Sequence, residues 1–428
     1  MSTSGPRVEP LVPEPEGESG VSDWSTWADE SCRVVMAAGQ WRGPRTFDAL
    51  GPAGLLDAPS TGPGVFADGG AGESSAVISF ASNDYLGLSC HPEVVAAAHR
   101  ALDRWGAGSG ASRLVTGSRP VHRDLEVALA DWKACERALV FPTGFAANLS
   151  VLSVFGTEGV QVFSDELNHA SIIDGSRISR AKVSVYRHGD MAQLDAAVAS
   201  APRPIIVTDT VFSMDGDSAD LDSLFDIAER HRALLILDEA HAVLGPELPA
   251  RTGGSGPDVL RVGTLSKTLG ALGGFVAGPA RFIELLVNRA RPYIFTTAPT
   301  PADAAAALAA VAIVRSSEGA RLCSRLAELV GRVNAVVGAD SQTSPIIPVI
   351  IGEESDAVSA SERLLAEGLW VPAIRPPTVP VGTSRLRITL SAVHTDEQVD
   401  VLIDGLVALG LAASSSTARP SVGGRHET

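Results

Sequence analysis

Polar and ionisable residues follow five short apolar runs of this chain, each at the point where a run ends. The polar segments are 142–148, 164–169, 209–216, 238–241 and 264–268. Short continuous apolar runs are typical of buried parallel strands, and ligands of open α/β sheets bind just beyond the carboxyl ends of the strands. We therefore expect the five segments to meet at one edge of a sheet and to form a ligand site there.

Three side chains in these segments could together support the chemistry of an aldehyde cofactor. Lys267 lies in a turn between Ser266 and Thr268, and a lysine in such a turn can form an imine with pyridoxal phosphate (PLP). Asp238 could pair with the protonated pyridine nitrogen, which lets the ring accept electrons from a carbanion. His169 could cover the flat face of the ring. These residue types predict a PLP site.

The same segments also offer groups for a phosphate. Gly144 and Phe145 follow a turn and open a predicted helix, and the N–H groups at a helix N-terminus bind phosphate. Thr264 adds a hydroxyl in the turn that carries the lysine. A P-loop would need glycine where Ser266 stands, and the glycines of 106–110 lack the right partners for a dinucleotide-binding motif.

Each of these residues has a plainer interpretation when it is taken alone. Lys267 could be a solvated lysine, Asp238 a helix cap and His169 a structural histidine. The segment 106–110 could be an ordinary glycine-rich loop. The order and spacing of all five segments together favour the cofactor site.

Composition bounds the class of protein. The chain has 428 residues, 45% of them hydrophobic and 20% charged, which is typical of a folded protein with a large and a smaller domain. A net charge of −16 argues against nucleic acid as a partner. The four cysteines are scattered, which favours neither zinc nor a disulfide framework. Without a signal peptide or a long apolar run, we expect a cytoplasmic protein with no membrane partner.

Apolar runs alternate with helical patterns through the middle of the chain. The predicted strands are 138–141, 160–163, 183–186, 205–208, 234–237 and 260–263, and the predicted helices include 121–134, 191–200, 220–232 and 281–290. This alternation predicts an α/β fold, with a mostly parallel sheet covered by helices on both faces. After Ala298, an alanine-rich helix over 302–315, with an extension to 337 left open, leads into a smaller α+β region.

The chain divides into five segments on this basis. Residues 1–22 and 411–428 are predicted to be disordered tails, because they are rich in small and polar residues. The predicted units between them are an N-terminal segment over 23–75, a large PLP-binding domain over 76–300 and a small C-terminal domain over 301–410.

Eight strings of the sequence resemble the α-oxoamine synthases, and the resemblance extends from about Trp41 to Leu406. The strings are SNDYLGLSCHP (82–92), GAGSGASRLVTG (106–117), PTGFAAN (142–148), HAS (169–171), VFSMDGD (211–217), LDEAH (237–241), GTLSKTLGALGG (263–274) and RPPTVPVGTSRLRITL (375–390). The resemblance implies the aspartate-aminotransferase-like fold of PLP-dependent transferases, with a seven-stranded sheet in the large domain. It also implies a homodimer with active sites at the subunit interface.

The resemblance implies roles for individual residues. Lys267 would carry the cofactor and act as base and later as acid, with Asp238 at the ring nitrogen and His169 stacked on the ring. Further cofactor contacts are implied for Ser213 and His241 at the ring oxygen, for Thr264, Gly144 and Phe145 at the phosphate, and for Thr296 and Thr297 at a neighbouring subunit's phosphate. Substrate contacts are implied for Arg387 at the amino-acid carboxylate, for Thr378 and Arg375, and for Arg42, or alternatively Arg45, at the acyl group.

Within the family, residues 374–380 point to the members that join L-alanine to pimeloyl-CoA or a pimeloyl-carrier protein in biotin biosynthesis. The expected products are 8-amino-7-oxononanoate, CO2 and a free thiol. The loop after His241 is about two residues shorter than is usual in the family, which leaves another amino acid or acyl thioester open. A PLP-binding protein without catalysis is disfavoured, because Lys267 and Asp238 are both present.

Overall fold

The computed structural model describes residues 23–39, 41, 43–57, 74–249, 256–339 and 344–413. The strands in chain order are β1 (Phe47–Ala49), β2 (Ala53–Leu56), β3 (Ser75–Ser79), β4 (Arg137–Phe141), β5 (Gln161–Asp165), β6 (Lys182–Tyr186), β7 (Pro204–Asp209), β8 (Leu234–Asp238), β9 (Val259–Thr264), β10 (Gly274–Gly278), β11 (Ile346–Gly352), β12 (Leu369–Trp370), β13 (Ala373–Ile374) and β14 (Ser384–Thr389). The N-terminal tail and residues 414–428 lie outside the described residues.

The α-helices in chain order are α1 (Trp24–Ala37), α2 (Pro92–Trp105), α3 (Pro120–Trp132), α4 (Gly144–Phe155), α5 (Ala170–Ile178), α6 (Met191–Val198), α7 (Leu221–His231), α8 (Ala280–Arg289), α9 (Arg291–Ile294), α10 (Pro301–Val314), α11 (Ser317–Val337), α12 (Glu354–Ala366) and α13 (Asp396–Ala408). A short 3-10 helix covers Leu88–Cys90, and a π-helical turn covers Arg113–Gly117.

A seven-stranded sheet forms the centre of the molecule, in the order β4-β10-β9-β8-β7-β5-β6. The pairs from β9 to β6 are parallel, and β10 runs antiparallel to both of its neighbours. The predicted mostly parallel seven-stranded sheet is therefore confirmed, and the six predicted strands all occur with small shifts at their ends. β10 could not be predicted from the sequence, because its few apolar residues lie between two glycines, Gly274 and Gly278. Position 274 must be glycine, because a Cβ there would lie 2.4 Å from the backbone nitrogen of Gly144.

Helices cover the central sheet on both faces, as the alternation of its buried residues requires. Ile205 and Val207 of β7 belong to one apolar cluster together with α4 and α8, whereas Ile206 faces a second cluster with α6 and α7. Because successive side chains of a strand point to opposite faces, a strand buried on both faces consists of continuous apolar residues. All six residues of β7 are buried.

The alanine-rich helix ends where the sequence first indicated. α10 stops at Val314 and α11 starts at Ser317, so the extension to 337 is a separate helix. The break occurs at Ser316, whose hydroxyl accepts hydrogen bonds from the N–H groups of Glu318 and Gly319 and thereby starts α11.

Two smaller sheets complete the fold. One is antiparallel, in the order β11-β14-β13, and its central strand β14 is buried along its whole length. The other has the order β1-β2-β3-β12, in which β12 pairs parallel with β3. The segment before the central sheet is thus joined to the C-terminal part of the chain. The division at residues 75 and 300 remains a prediction. Over the described ranges, no helix is long and apolar enough to cross a membrane.

Candidate active site

The ends of three neighbouring strands bring the predicted catalytic residues together. Asp209 ends β7, Asp238 ends β8 in register with it, and Lys267 follows the end of β9. His241 links this group to the lysine, because its Nε2 lies 2.8 Å from the Lys267 Nζ. The polar segments that follow these strands therefore meet at the carboxyl edge of the sheet, as we expected.

His241 bridges Lys267 and a tyrosine that the sequence analysis did not single out. Its Nδ1 lies 2.5 Å from the hydroxyl of Tyr85, which donates its proton to the Asn83 Oδ1 at 3.1 Å. Burial, reinforced by the positive charge of Lys267, lowers the pKa of His241 well below its usual value. The neutral ring then donates from Nδ1 to Tyr85 and accepts from Lys267 at Nε2, since the tyrosine proton is already committed to Asn83.

The Lys267 amine has properties that suit a base. Burial lowers its pKa, and the carboxyl groups of Asp238 and Asp209 oppose that effect. A lower pKa increases the fraction of neutral amine at neutral pH, which is the form that bonds to an aldehyde and accepts a proton.

Two buried carboxyl groups, those of Asp209 and Asp238, stand at this edge of the sheet. Asp238 is 5% exposed, and its oxygens accept hydrogen bonds from the Asn148 side chain at 2.6 Å and from the Ala240 N–H at 2.9 Å. Burial, together with the nearby charge of Asp238, raises the pKa of Asp209 well above its usual value. Asp209 also accepts the His169 N–H at 2.7 Å, which anchors the backbone of that histidine.

His169 lies at the N-terminus of α5, and its ring contacts Phe145 edge-on, with 6.4 Å between centroids. Phe145 is itself 42% exposed. Burial lowers the pKa of His169, which makes its imidazole neutral at neutral pH.

The residues present fit PLP. The site combines an amine of lowered pKa with a buried carboxylate, and α4 starts beside them at Gly144. The first N–H groups of a helix have no partner within the helix, so those of Gly144 and Phe145 can bind a phosphate. Gly144 lies next to Thr264, because a Cβ at Gly144 would be in ordinary contact with the Thr264 side chain at 3.4 Å. The Thr264 hydroxyl itself accepts the Ser266 N–H at 3.0 Å.

Arg387 connects β14 of the smaller sheet to the site. It is 5% exposed, and its nitrogens donate to the Ser213 carbonyl at 2.6 Å, to the Thr389 hydroxyl at 2.9 Å and to the Asn83 amide oxygen at 3.2 Å. Burial lowers its pKa. The neighbouring Arg385, which was not predicted from the sequence, pairs with Asp215 and so holds the same turn that carries Ser213.

Most of the remaining predicted substrate residues line a cavity of about 580 Å³. Its lining includes Arg45, Arg375 and Thr378 together with Trp41 and Trp370. Arg375 also donates to the Gly39 carbonyl at 2.5 Å, which ties this cavity to the N-terminal segment. Arg42 lies outside the described residues.

Thr296 and Thr297 are exposed on the surface. Thr297 forms an isolated antiparallel bridge with Ser112, and Phe295 beside them is 68% exposed.

Known proteins resemble this chain over most of its length. Residues 75–406 match the family described as aminotransferase class I and II. The chain belongs to this family. It is 46% identical to the 8-amino-7-oxononanoate synthase of Paraburkholderia xenovorans, over 80% of this chain and 91% of the relative. The structure of a serine palmitoyltransferase from S. paucimobilis with bound PLP matches with a TM-score of 0.78 and 28% identity, over 91% of this chain and 98% of that one.

A third match is the crystal structure of 8-amino-7-oxononanoate synthase from Francisella tularensis, with a TM-score of 0.64 and 27% identity. It covers 78% of this chain and 96% of that one. These relatives confirm the resemblance to α-oxoamine synthases.

Proposed function

We propose that this chain is a PLP-dependent acyltransferase that condenses L-alanine with pimeloyl-CoA or a pimeloyl-carrier protein. The products are 8-amino-7-oxononanoate, CO2 and the free thiol, and the reaction serves biotin biosynthesis. The observation that carries the proposal is the 46% identity to 8-amino-7-oxononanoate synthase over 91% of that enzyme. The lysine and the buried carboxylate that PLP chemistry requires are both present at the strand ends.

The chain's own residues can perform the proton transfers of this reaction. When bound, PLP supplies an electron sink for the α-carbon of the amino acid, with Asp238 at its ring nitrogen. The Lys267 Nζ takes the α-proton and later returns a proton to the product, and its lowered pKa suits both tasks. Arg387 holds the amino-acid carboxylate, and the Ser213 carbonyl fixes the plane of its guanidinium group.

The acyl thioester is assigned to the cavity lined by Arg375 and Thr378. Its other wall carries Arg45 from the N-terminal segment, close in sequence to Arg42. Cationic side chains there suit the anionic groups of a pimeloyl thioester. His241, Thr264 and Ser213 are assigned to the cofactor, as the resemblance implies.

We also propose a cytoplasmic homodimer in which Thr296 and Thr297 reach the cofactor phosphate of the neighbouring subunit. Their exposure and that of Phe295 support this assignment, because an apolar side chain beside two hydroxyls suits a buried interface. Sedimentation and activity measured over a dilution series test it. A fully active monomer would contradict it.

A spectrophotometric titration tests the reaction. Single amino acids are added to the PLP-loaded protein, followed by pimeloyl-CoA, while the visible cofactor spectrum and thiol release are recorded. We expect alanine to shift the spectrum and the thioester then to yield thiol and an amino ketone. Indifference to alanine or to pimeloyl-CoA would overturn the substrate assignment.

A second candidate is an α-oxoamine synthase that uses another amino acid, such as serine. The match to serine palmitoyltransferase, with a TM-score of 0.78, favours it, although the identity is only 28%. The same titration separates the two, because serine rather than alanine would then shift the spectrum.

A further inference from the structure

Two buried residues link Asp238 to His169, and the sequence analysis assigned a role to neither. The Asn148 Nδ2 donates to the Asp238 Oδ2 at 2.6 Å and to the Ser171 Oγ at 2.9 Å. The Ser171 Oγ in turn lies 2.7 Å from the His169 Nδ1. Asn148 and Ser171 are each 1% exposed, so water does not compete for these hydrogen bonds.

The direction of this chain of hydrogen bonds follows from the donors available. An amide nitrogen has two hydrogens, and Asn148 commits one to Asp238 and the other to Ser171. The flipped amide would turn its oxygen towards the Asp238 carboxylate and lose both donations. The Asn148 Oδ1 is buried without a partner among the described residues, so the orientation rests on the two bonds made by the nitrogen.

The proton of the Ser171 hydroxyl is then directed at His169. The hydroxyl oxygen already accepts from Asn148, and its single hydrogen can donate to the His169 Nδ1. The Ser171 backbone N–H points at the same nitrogen, at 3.3 Å. Two donors on one ring nitrogen make it an acceptor, so a neutral His169 carries its proton on Nε2.

Burial lowers the pKa of His169 and so keeps the ring neutral at neutral pH. The charges near it oppose one another, since Asp238 and Asp174 raise its pKa and Lys267 lowers it. A neutral imidazole has two tautomers, and its hydrogen-bond partners decide between them.

We infer that Asn148 and Ser171 are positioning residues that hold His169 in the Nε2–H tautomer and tie its ring to the carboxylate of Asp238. The histidine then presents an N–H donor on the ring edge away from Ser171, whatever ligand faces it. Only the consequence for catalysis, a donor available to the substrate, rests on the proposed function.

Nitrogen NMR of the holoenzyme labelled with 15N-histidine tests the inference directly. Long-range proton–nitrogen correlations distinguish a protonated ring nitrogen from an unprotonated one, and the His169→Gln variant identifies the signals of His169. We expect Nε2 protonated and Nδ1 unprotonated. A proton on Nδ1, or averaged signals, would overturn the inference.

Variants test whether the hydrogen-bond chain Asp238–Asn148–Ser171–His169, called the relay below, sets the tautomer independently of the stability of the fold. Ser171→Ala and Asn148→Ala are expected to lose the single tautomer, and Ser171→Thr, which keeps the hydroxyl, is expected to restore it. Ser150→Ala is the matched control on α4, because the Ser150 hydroxyl bonds the Ala146 carbonyl at 2.7 Å and not the relay. If both alanine variants fold and keep the Nε2–H tautomer, the relay does not position His169.

The NMR test of the His169 tautomer and the substrate titration test two separate claims, and either claim can be wrong without the other. A protein that shows the Nε2–H tautomer but ignores alanine would lose the proposed reaction and retain this inference. A protein that uses alanine with a proton on the His169 Nδ1 would retain the reaction and lose the inference.

Discussion

A partly buried histidine, His188, joins the edge of the central sheet to the turn that carries Ser213. The His188 Nδ1 lies 3.1 and 3.2 Å from the two oxygens of Asp165, and its Nε2 lies 2.7 Å from the Asp217 Oδ2. Both ring nitrogens must donate in this arrangement, so the ring is an imidazolium. The hydrogen bonds to Asp165 and Asp217 outweigh burial and raise the pKa of His188 to about 10.

The size of the effect of His188→Asn can be estimated from that pKa. A folded-state value of about 10 against an ordinary 6.5 corresponds to about 4 kcal/mol of stability at pH 7. Asp165 is only 3% exposed, but Asp217 is 38% exposed, so water screens the electrostatic stabilisation that Asp217 gives to His188. We therefore expect the variant to lose about 2–3 kcal/mol at pH 7.

The sign of the pH dependence follows from the raised pKa. The stabilisation is complete below the unfolded pKa of 6.5 and is lost as the pH rises through about 10. At pH 9.5 the difference between wild type and His188→Asn should fall to about one fifth of its value at pH 7. Charges elsewhere in the protein contribute equally to both proteins and cancel in this difference.

Thermal unfolding of the holoenzyme at pH 7 and pH 9.5 measures the difference. About 2.1 cal/mol/K per residue gives an unfolding entropy of about 0.9 kcal/mol/K for 428 residues, so we expect Tm to fall by about 2–3 °C at pH 7. His231→Asn is the control, because His231 pairs with the half-exposed Asp195 and should cost about 1 °C or less.

Two results would refute this reasoning about His188. One is an equal loss of Tm at both pH values, which would indicate a packing effect rather than a charge. The other is a loss no larger than that of His231→Asn.

Three further predictions concern the site and its support. Lys267→Ala should abolish the visible absorbance of the lysine-bound cofactor, and an unchanged band would refute the cofactor assignment. Arg387→Lys should raise the KM for alanine roughly tenfold in steady-state assays with a smaller change in kcat, because lysine cannot bind a carboxylate in bidentate geometry. An unchanged KM would contradict the role of the arginine. Glu239→Gln should lower the free energy of unfolding by about 3 kcal/mol in denaturant titrations, because it removes the carboxylate that Lys133 and Arg261 share at 2.6–3.0 Å. A loss of less than about 1 kcal/mol would contradict that role of Glu239.

The strands of the central sheet could be predicted from the sequence because burial on both faces leaves a local mark. In β7, the successive apolar residues Ile205, Ile206 and Val207 fill both faces of the strand, and that run is visible without any knowledge of its neighbours. β10 left a weaker mark, because its ends are glycines that make room for adjacent backbone. The break between α10 and α11 depended on one capping serine within a continuous helical pattern.

The residues of the site also divide into those that could be predicted from the sequence and those that could not. Lys267 and Asp238 could be named in advance, because the ends of neighbouring parallel strands must meet at one edge of a sheet. A role for His241 was implied by the family resemblance. Tyr85 could not be assigned a partner, since it meets His241 across 156 residues of sequence. Nor could Asn148, whose amide is indistinguishable in sequence from that of any helix residue.

The sequence by itself determined six strands of the central sheet and the side chains at their ends, because periodicity and strand termini are local properties of the chain. Only the tertiary structure decided which of those side chains donate, which accept and which carry a proton. Hydrogen-bond direction and pKa depend on burial and on partners such as Asp209 beside Asp238, or Arg387 against the Ser213 carbonyl. Those partners come from distant parts of the chain, and no local pattern in the sequence records that they meet.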